Sequence, residues 1–183
     1  MPTNDAAGLT IRPSRDADMP AIAEIYAHHV LHGTASFETE PPGLQEMQRR
    51  RGDVLGKGLP YLVAERDDAV LGYAYAGTYR PRAAYRDTVE NSIYLHPGMT
   101  GRGIGRPLLA ALVQACEARD LRQMIAVIGD SAHAASIRLH ERCGFQLVGI
   151  LRDVGYKHGR WLDSVLLQRA LGRGNTTPPA ARD

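Results

Sequence analysis

The stretch from Val89 to Leu112 constrains the fold most, because the patterns of a strand, a glycine-rich turn and a helix follow one another there without a gap. Its first residues are rich in β-branched, aromatic and aliphatic side chains, and Pro97 and Gly98 then interrupt them, which predicts a strand that ends in a turn. Pro107 suits the first turn of a helix, and leucines at helical spacing follow it. The segment therefore predicts a strand and a helix joined by a short turn.

Glycines alternate with larger residues in the turn itself. Gly101, Gly103 and Gly105 permit positive φ angles and let the backbone lie close to a ligand. Free N–H groups and the helix dipole attract anions at a helix N-terminus, and arginines lie nearby, so the turn predicts a phosphate site. A P-loop would need Lys where Arg106 stands, and the dinucleotide fingerprint would need Gly there. A glycine-rich connection without a ligand is the alternative.

Composition favours one globular domain. The chain has 183 residues, of which 44% are hydrophobic and 23% are charged, and it contains 2 cysteines. Its net charge of +2 is too small to demand a nucleic-acid partner, and no segment resembles a signal peptide or a membrane span. We expect a soluble, cytoplasmic protein without a nucleic-acid or membrane partner. Its single domain should cover residues 8–171, between flexible termini at residues 1–7 and 172–183.

Hydrophobic periodicity predicts the remaining elements. The first helix should have Ser14 as its N-cap, and a loop rich in Gly, Lys, His and Arg should separate the last two strands. The order of the elements indicates a mixed α+β fold rather than a doubly wound parallel sheet. The predicted strands are Leu9–Arg12, Tyr61–Ala64, Leu71–Thr78, Gln123–Ile128, Phe145–Leu151 and Ser164–Gln168, and the predicted helices are Asp16–His29, Leu44–Leu55 and Ala134–Arg142.

The glycine turn also resembles the acyl-CoA signature of the GNAT superfamily of N-acetyltransferases, Gln/Arg-x-x-Gly-x-Gly/Ala. Gly103 and Gly105 occupy its glycine positions, and Thr100 replaces the Gln or Arg. The segments YRPRAAYR, TVENSIYLHP, AASIRLHERCGF and VGYKHGRW narrow the resemblance to the phosphinothricin and methionine sulfone (sulfoximine) acetyltransferase family. The resemblance implies the GNAT fold, a mixed and mostly antiparallel sheet flanked by helices, with a central strand splayed by a bulge. It also implies acetyl-CoA as cosubstrate, no metal, a small-molecule amine as acceptor and a homodimer.

The resemblance further implies where acetyl-CoA binds. In GNAT proteins the glycine turn holds the pyrophosphate, and the pantetheine arm extends the sheet along the central strand, whose N–H groups stabilise the oxyanion. His133 stands where the family usually has an Asn that contacts pantetheine, and a histidine replaces only one of the two hydrogen bonds of an amide. The implied cofactor-binding residues are Ile93, Tyr94, Leu95, Arg102, Gly103, Ile104, Gly105, Arg106, His133 and Ser136.

Two titratable residues match catalytic positions of the family. Glu90 matches the glutamate assigned as the base, which would remove the proton that prevents an ammonium from attacking a thioester. A charge within a strand is costly unless it faces a polar cleft. His140 stands where many GNAT enzymes carry a tyrosine acid, and an unperturbed pKa of about 6.5 would let it protonate the leaving thiolate. An ordinary glutamate at a strand edge and a structural histidine are the alternatives.

Arginines and tyrosines cluster in the loop before the central strand. Guanidinium groups bind carboxylates and phosphinates in bidentate fashion, so this loop suits an amino acid with a second anionic head, although a solvated basic loop is the alternative. Tyr75, His28, His29 and His32 are interpreted as packing or surface residues. The acceptor-binding residues that the loop and the resemblance suggest are Phe37, Glu38, Arg80, Arg82, Tyr85 and Tyr156, in part across a dimer interface.

The sequence leads to one main functional hypothesis, acetyl transfer from acetyl-CoA to the amine of a small amino acid or analogue such as phosphinothricin or methionine sulfone. A related enzyme could instead acetylate a protein N-terminus or a polyamine, although the arginine-rich loop disfavours a polyamine. A non-catalytic regulator that binds acyl-CoA is the alternative from another class. Such a regulator would need neither Glu90 nor His140.

Overall fold

The computed structural model describes residues 8–180, and the expectations for residues 1–7 and 181–183 lie outside that range. Within it, a 7-stranded sheet has the strand order β1-β2-β3-β4-β5-β7-β6. The strands are β1 Thr10–Pro13, β2 Tyr61–Arg66, β3 Ala69–Thr78, β4 Thr88–Leu95, β5 Gln123–Gly129, β6 Gln146–Lys157 and β7 Arg160–Ala170. The α-helices are α1 Met19–His32, α2 Leu44–Gly56, α3 Gly105–Glu117 and α4 Ala134–Arg142.

The sheet is mixed, as the sequence predicts. Neighbouring strands run antiparallel except for β4 and β5, which are parallel because α3 crosses between them. The α+β class is confirmed, and so are the hairpin of β2 and β3 and the strand–turn–helix unit of β4 and α3. None of the helices within residues 8–180 has the length and apolar character needed to cross a membrane.

The two faces of the sheet pack against different helices. Leu108, Leu109 and Leu112 of α3 lie in a large buried cluster on one face, and Met19 and Ile22 of α1 lie in a second cluster on the other face. Successive side chains of a strand point to opposite faces. Consecutive residues of β4 therefore divide between the two clusters, since Val89 belongs to the first cluster and Tyr94 packs against the second.

The central feature of the sheet is a wedge-shaped opening between β4 and β5. The two strands pair from Thr88 and Gln123 only as far as Asn91 and Ala126. Beyond that point β5 stays paired with β7 up to Gly129, while β4 stays paired with β3 up to Leu95. The register between β3 and β4 is uninterrupted, so the expected splay occurs without a bulge on that side.

Two sequence predictions about local structure are wrong. Ser14 does not cap the first helix, because a 3₁₀ turn over Asp16–Asp18 precedes α1, and the Ser14 hydroxyl instead accepts a hydrogen bond of 2.8 Å from Nε of Arg51. The predicted loop between the last two strands is the end of a long hairpin. Its strands continue to a tight turn in which His158 and Gly159 have positive φ angles.

The chain after Leu171 makes more contacts than a free tail would. The buried Arg122 guanidinium donates hydrogen bonds to the carbonyl oxygens of Gly174, Thr177 and Pro178, at 3.2, 3.4 and 3.1 Å. Packing in the described range thus extends beyond the expected domain end. The domain boundary itself stays a prediction.

The loop between α1 and α2 is held across the open end of the wedge. Lys157 on β6 donates a 2.7 Å hydrogen bond to the carbonyl of Ser36, whose hydroxyl lies 2.9 Å from that of Tyr26 on α1. The Phe37 ring packs where a side chain on Gly129 of β5 or Gly155 of β6 would have to lie. These contacts place the loop over β5 and β6 within one chain.

The close fit of this loop gives a testable expectation for Gly129→Ala. An added Cβ would overlap the carbonyl oxygen of Thr34 and approach Cε1 of Phe37 to 2.8 Å. Because the first of these atoms belongs to the backbone, we expect a loss of about 1–3 kcal/mol in the free energy of unfolding. Denaturant unfolding with Gly149→Ala as the control measures it, since nothing lies within 4 Å of a Cβ added there. Equal stability of the two variants would show that the loop does not rest on β5.

Candidate active site

The glycine turn has the backbone geometry expected of an anion site. Gly101 and Gly103 adopt positive φ angles of 79° and 80°. Gly105 does not, because it begins α3 and is buried, and a Cβ there would lie 3.1 Å from Leu139 and 3.5 Å from Leu95. Its lack of a side chain therefore lets the N-terminus of α3 approach β4 and α4.

The residues around that helix N-terminus divide into exposed and buried ones. Arg102 and Arg106 are exposed beside the first turn, whose N–H groups have no partner within the helix. The side chain of Ile104 lies in the α3 cluster with 1% exposure, so only its backbone can face a ligand. The positive end of the helix dipole adds to the two guanidinium charges, which makes this end of the wedge suited to a diphosphate.

The free edge of β4 presents backbone groups to the wedge. The N–H of His96 donates to the carbonyl of Leu71 on the β3 side, at 2.9 Å. Because backbone groups alternate in direction along a strand, those of Leu95 and Ile93 point the other way, into the wedge. Those of Tyr94 point toward β3, so only two of the three expected backbone positions face the opening.

A histidine from α1 reaches the same edge. Nε2 of His29 lies 2.8 Å from the carbonyl oxygen of Leu95. A carbonyl only accepts hydrogen bonds, so Nε2 carries the proton. Burial lowers the pKa of His29, and the neighbouring His28 and His133 lower it further, which favours the neutral ring. No sequence pattern indicates this contact, because the two residues are 66 positions apart.

Glu90 lies partly buried on the face of β4 that packs against α1 and α2. Its neighbours Val89 and Asn91 are buried on the opposite face. Burial raises the pKa of Glu90 above the ordinary value of a glutamate, because the charged form loses water. Its charge also acts on the phenol of Tyr75, which hydrogen-bonds to the Ser92 side chain.

Further charged groups surround the same phenol. Arg50 on α2 donates a 2.6 Å hydrogen bond to Glu38 of the α1–α2 loop, and both charges act on Tyr75. Glu38 was predicted at the acceptor site, whereas Arg50 was missed and Tyr75 was interpreted as packing. Tyr75 does stack on Tyr61, at 5.0 Å between ring centroids. The charges of Glu90, Glu38 and Arg50 also act on its phenol, and the region around these four side chains is called the chamber.

The arginine-rich loop joins β3 to β4 beside this chamber. The exposed Arg80 guanidinium stacks on Tyr79 at 5.2 Å and on Tyr85 at 6.0 Å. Arg82 is also exposed and precedes the 3₁₀ turn that contains Tyr85. Since Thr78 pairs with Val89, the loop begins and ends next to Glu90 in the sheet.

The structure brings some of the remaining predicted acceptor residues together. Phe37 contacts Gly155, the neighbour of Tyr156 on β6, within the same chain. The Tyr156 ring is 60% exposed and packs edge-to-face against Trp161 at 5.3 Å. Tyr156 therefore faces solvent in the single chain, on the strand that forms the edge of the sheet.

His140 lies on the other face of β4 from Glu90. Its ring is 2% exposed, with Nδ1 at 2.8 Å from the carbonyl of Ser136 and Nε2 at 2.9 Å from Nδ2 of Asn91. Seven residues earlier in the chain, just before α4 begins, Nδ1 of His133 is buried and has no hydrogen-bond partner among the described residues. A buried nitrogen beside the wedge that has no hydrogen-bond partner in the protein is suited to a hydrogen bond with a bound ligand.

A separate cavity lies beside the wedge. It has a volume of about 820 Å³ between α3, α4 and the β6–β7 edge, and Arg106, Arg142 and Arg169 line it, but neither Glu90 nor His140 does. The candidate site is instead the open wedge. Among residues 8–180, no group of three or more His, Cys, Asp and Glu side chains is placed to hold a metal ion.

Known proteins resemble this chain along most of its length. Residues 11–166 match the family model described as the acetyltransferase (GNAT) domain. The chain is 56% identical over 170 residues to phosphinothricin N-acetyltransferase of Alcaligenes faecalis, covering 93% of this chain and 86% of that protein. It is 39% identical over 170 residues to the L-methionine sulfoximine/L-methionine sulfone acetyltransferase of Pseudomonas aeruginosa, covering 92% of this chain and 98% of that one.

A solved structure agrees with these matches. The crystal structure of a GNAT superfamily phosphinothricin acetyltransferase from Sinorhizobium meliloti in complex with AcCoA superposes with a TM-score of 0.92. The two chains are 49% identical, and the match covers 94% of each. The resemblance inferred from the sequence is therefore confirmed, and the chain belongs to the GNAT family of acetyltransferases.

Proposed function

We propose that this chain transfers the acetyl group of acetyl-CoA to the amine of a small amino acid or analogue of the phosphinothricin or methionine sulfone type, with Glu90 as the base. The observation that carries the proposal is the position of Glu90. It is a partly buried carboxylate one residue before β4 and β5 separate. The class of acceptor is suggested by the relatives of the chain, which are named for phosphinothricin and methionine sulfone.

The raised pKa of Glu90 suits a base. A carboxylate with an ordinary pKa holds a proton too weakly to take one from an ammonium, and burial reduces this mismatch. The neutral amine then adds to the thioester carbonyl. The thioester that acetyl-CoA supplies is an activated acyl group, so the protein mainly positions and deprotonates the amine.

The other end of the wedge would hold the cofactor. The N–H groups at the start of α3, with Arg102 and Arg106, would bind the pyrophosphate. The N–H groups of Ile93 and Leu95 would donate to the acetyl carbonyl and to the pantetheine arm, where the developing oxyanion needs donors. The unpartnered Nδ1 of His133 fits a hydrogen bond to the same arm and partly compensates for the amide that the family usually has.

The acceptor chamber combines charges of both signs. Arg80 and Arg82 would bind the anionic head or the carboxylate of the acceptor, since guanidinium groups match those oxygens in bidentate fashion. Glu38, held by Arg50, adds a negative charge that favours the ammonium group. Phe37, Tyr85 and Tyr156 would form the apolar walls.

We also propose that the enzyme is a homodimer formed through the β6–β7 edge. β6 is the last strand of the sheet, and such an edge needs protection against unwanted pairing. Large apolar side chains on this hairpin are at least half exposed, which is typical of a surface that binds another chain. They are Leu147, Val148, Leu151, Val154, Tyr156 and Trp161. A cytoplasmic location is part of the same proposal, supported by the buried, unpaired Cys116 and Cys143.

The acceptor proposal is tested by release of free coenzyme A thiol with a panel of amines. Phosphinothricin and methionine sulfone should give the highest kcat/KM, ahead of methionine, spermidine and a short peptide. Arg80→Met and Arg82→Met should each raise KM for the acceptor at least about tenfold without changing KM for acetyl-CoA, because a bidentate ion pair is lost. The exposed Arg173→Met is the control. Turnover on the peptide or spermidine alone would overturn the acceptor class.

Glu90→Gln should reduce activity and increase stability together. Loss of the base should lower kcat by about 10²–10⁴-fold. The pKa of Glu90 is higher in the folded state than in the unfolded state. The free energy of unfolding of the wild type therefore falls as the pH rises from the unfolded-state pKa through the folded-state pKa. Glutamine carries no charge at any pH, so the variant does not lose this stability. The melting temperature of Glu90→Gln should therefore exceed that of the wild type at pH 8 but not at pH 4, with the exposed Glu24→Gln as control. A lower melting temperature at pH 8 would contradict a buried charge at this position.

The dimer is tested by sedimentation. The wild type should sediment at twice its chain mass of 20.0 kDa. Val148→Asp combined with Leu151→Asp should sediment as the single chain, because charges within an apolar interface lose water without gaining a partner. Leu55→Asp, at an exposed apolar position on α2, should leave the dimer intact. A monomeric wild type at micromolar concentration would exclude the proposed interface.

A further inference from the structure

The apex of the wedge is fixed by a side-chain pair. Asn91 is the last residue of β4 that pairs with β5, opposite Ala126. Its side chain is 5% exposed and hydrogen-bonds to His140 on α4, 49 residues later in the chain. The point at which the sheet opens is thus tied directly to the helix that packs beneath it.

The hydrogen bonds define the protonation of the ring. The carbonyl of Ser136 only accepts, so Nδ1 of His140 must carry a proton. The Asn91 amide presents Nδ2, a donor, to Nε2, so Nε2 must be the acceptor and carry no proton. In this arrangement the ring is neutral, and Nε2, the nitrogen nearest β4, carries no proton that it could donate.

The reversed arrangement is unfavourable. If the Asn91 amide presented Oδ1 to the ring, Nε2 would also need a proton and His140 would be a buried imidazolium. The ring packs edge-to-face against Phe145 at 5.1 Å, and the other titratable group that acts on it is His133, whose positive charge would oppose protonation. Glu90, the nearest carboxylate along β4, lies on the opposite face. Burial accordingly lowers the pKa of His140.

We infer that Asn91 and His140 form a positioning pair that fixes the apex of the wedge, and that His140 does not deliver a proton to the thiolate. The inference rests on the acetyl transfer proposed above. The pair holds β4 where the strands separate, and so sets the positions of the Ile93 and Leu95 N–H groups that face the acetyl carbonyl. The amine nitrogen bonds to the acetyl carbon, and the C–S bond breaks with its electron pair going to sulfur. A thiol pKa of about 8.5 lets the thiolate leave as an anion and take its proton from water.

The pair is a poor choice for stability alone. Oδ1 of Asn91 is buried and has no hydrogen-bond partner among residues 8–180. Two apolar side chains of similar size would leave no acceptor unpaired, and such replacements are often neutral or stabilising. A buried polar pair with an unsatisfied member therefore calls for a reason outside folding.

Substitution kinetics separate positioning from proton transfer. The amide oxygen of His140→Gln occupies the place of Nε2 and accepts from Asn91 but cannot transfer a proton, so kcat should stay within about threefold of the wild type with the same pH profile. His140→Leu and Asn91→Leu should each lower kcat at least about tenfold, and the double variant should fall no further, because one contact is lost in all three. An equal loss in His140→Gln and His140→Leu, with Asn91→Leu close to wild type, would identify His140 as the acid. Exposed His32→Gln is the control for removal of an imidazole.

¹⁵N NMR measures the protonation of the His140 ring nitrogens directly and needs no catalytic turnover. It therefore tests the inference even if a variant fails to fold or no acceptor is found. In uniformly ¹⁵N-labelled enzyme at pH 7, Nε2 of His140 should resonate as an unprotonated ring nitrogen and Nδ1 as a protonated one, with and without coenzyme A. His140→Gln, or the slow proton exchange of a buried ring, assigns the signals. A protonated Nε2 would overturn the inference, whereas failure of the acetyl-transfer assay alone would overturn only the proposed function.

Discussion

The backbone hydrogen bonds that β4 cannot make to β5 beyond Asn91 are the constraint on which the rest of the structure depends. Backbone N–H and C=O groups at the edge of a buried strand need partners, and the sheet supplies them only on the β3 side. His29 satisfies the Leu95 carbonyl from α1, and the start of α3 lies beside the end of β4. The remaining backbone groups of β4 are available to an extended ligand, which could pair with β4 as an additional strand would.

The alternation of side chains along β4 then separates two kinds of chemistry. Glu90, Ser92 and Tyr94 face α1 and α2, where a layer of tyrosines packs against the sheet and burial raises the pKa of Glu90. Asn91 and Ile93 face α3 and α4, where Asn91 hydrogen-bonds to the buried His140. A single strand can serve both because its period of two assigns consecutive residues to opposite environments.

Local pattern was sufficient to predict most of the scaffold. The β4–α3 unit follows from glycine and leucine spacing, and α4 agrees with its predicted bounds of Ala134–Arg142. The last hairpin was predicted too short because bulges after Leu147 and Leu151 interrupt the alternation that marks a strand. Ser14 was misassigned because a capping residue is recognised by type, whereas its partner Arg51 comes from another helix.

The residues of the candidate site could be predicted only where they belong to a recognisable sequence motif. Glu90 and the glycine turn lie in a recognisable segment, but Arg50, His29 and Asn91 act through contacts with residues distant in the chain. Each is an ordinary residue type in an ordinary element, and nothing in periodicity or composition distinguishes it. Such residues are identified only when the fold brings their partners within hydrogen-bond distance.

The opposite orientation of Glu90 and His140 has a consequence for how such an enzyme diversifies. The residues proposed to bind the acceptor come from the α1–α2 loop, the β3–β4 loop and β6, and none of them belongs to the buried cluster around α3. Substitutions at those surfaces can accumulate without altering the proposed donor site at the start of α3, because the sheet lies between them. Substitutions that change the recognised amine can therefore leave the proposed donor site intact, because the strand separates the two halves of the proposed reaction.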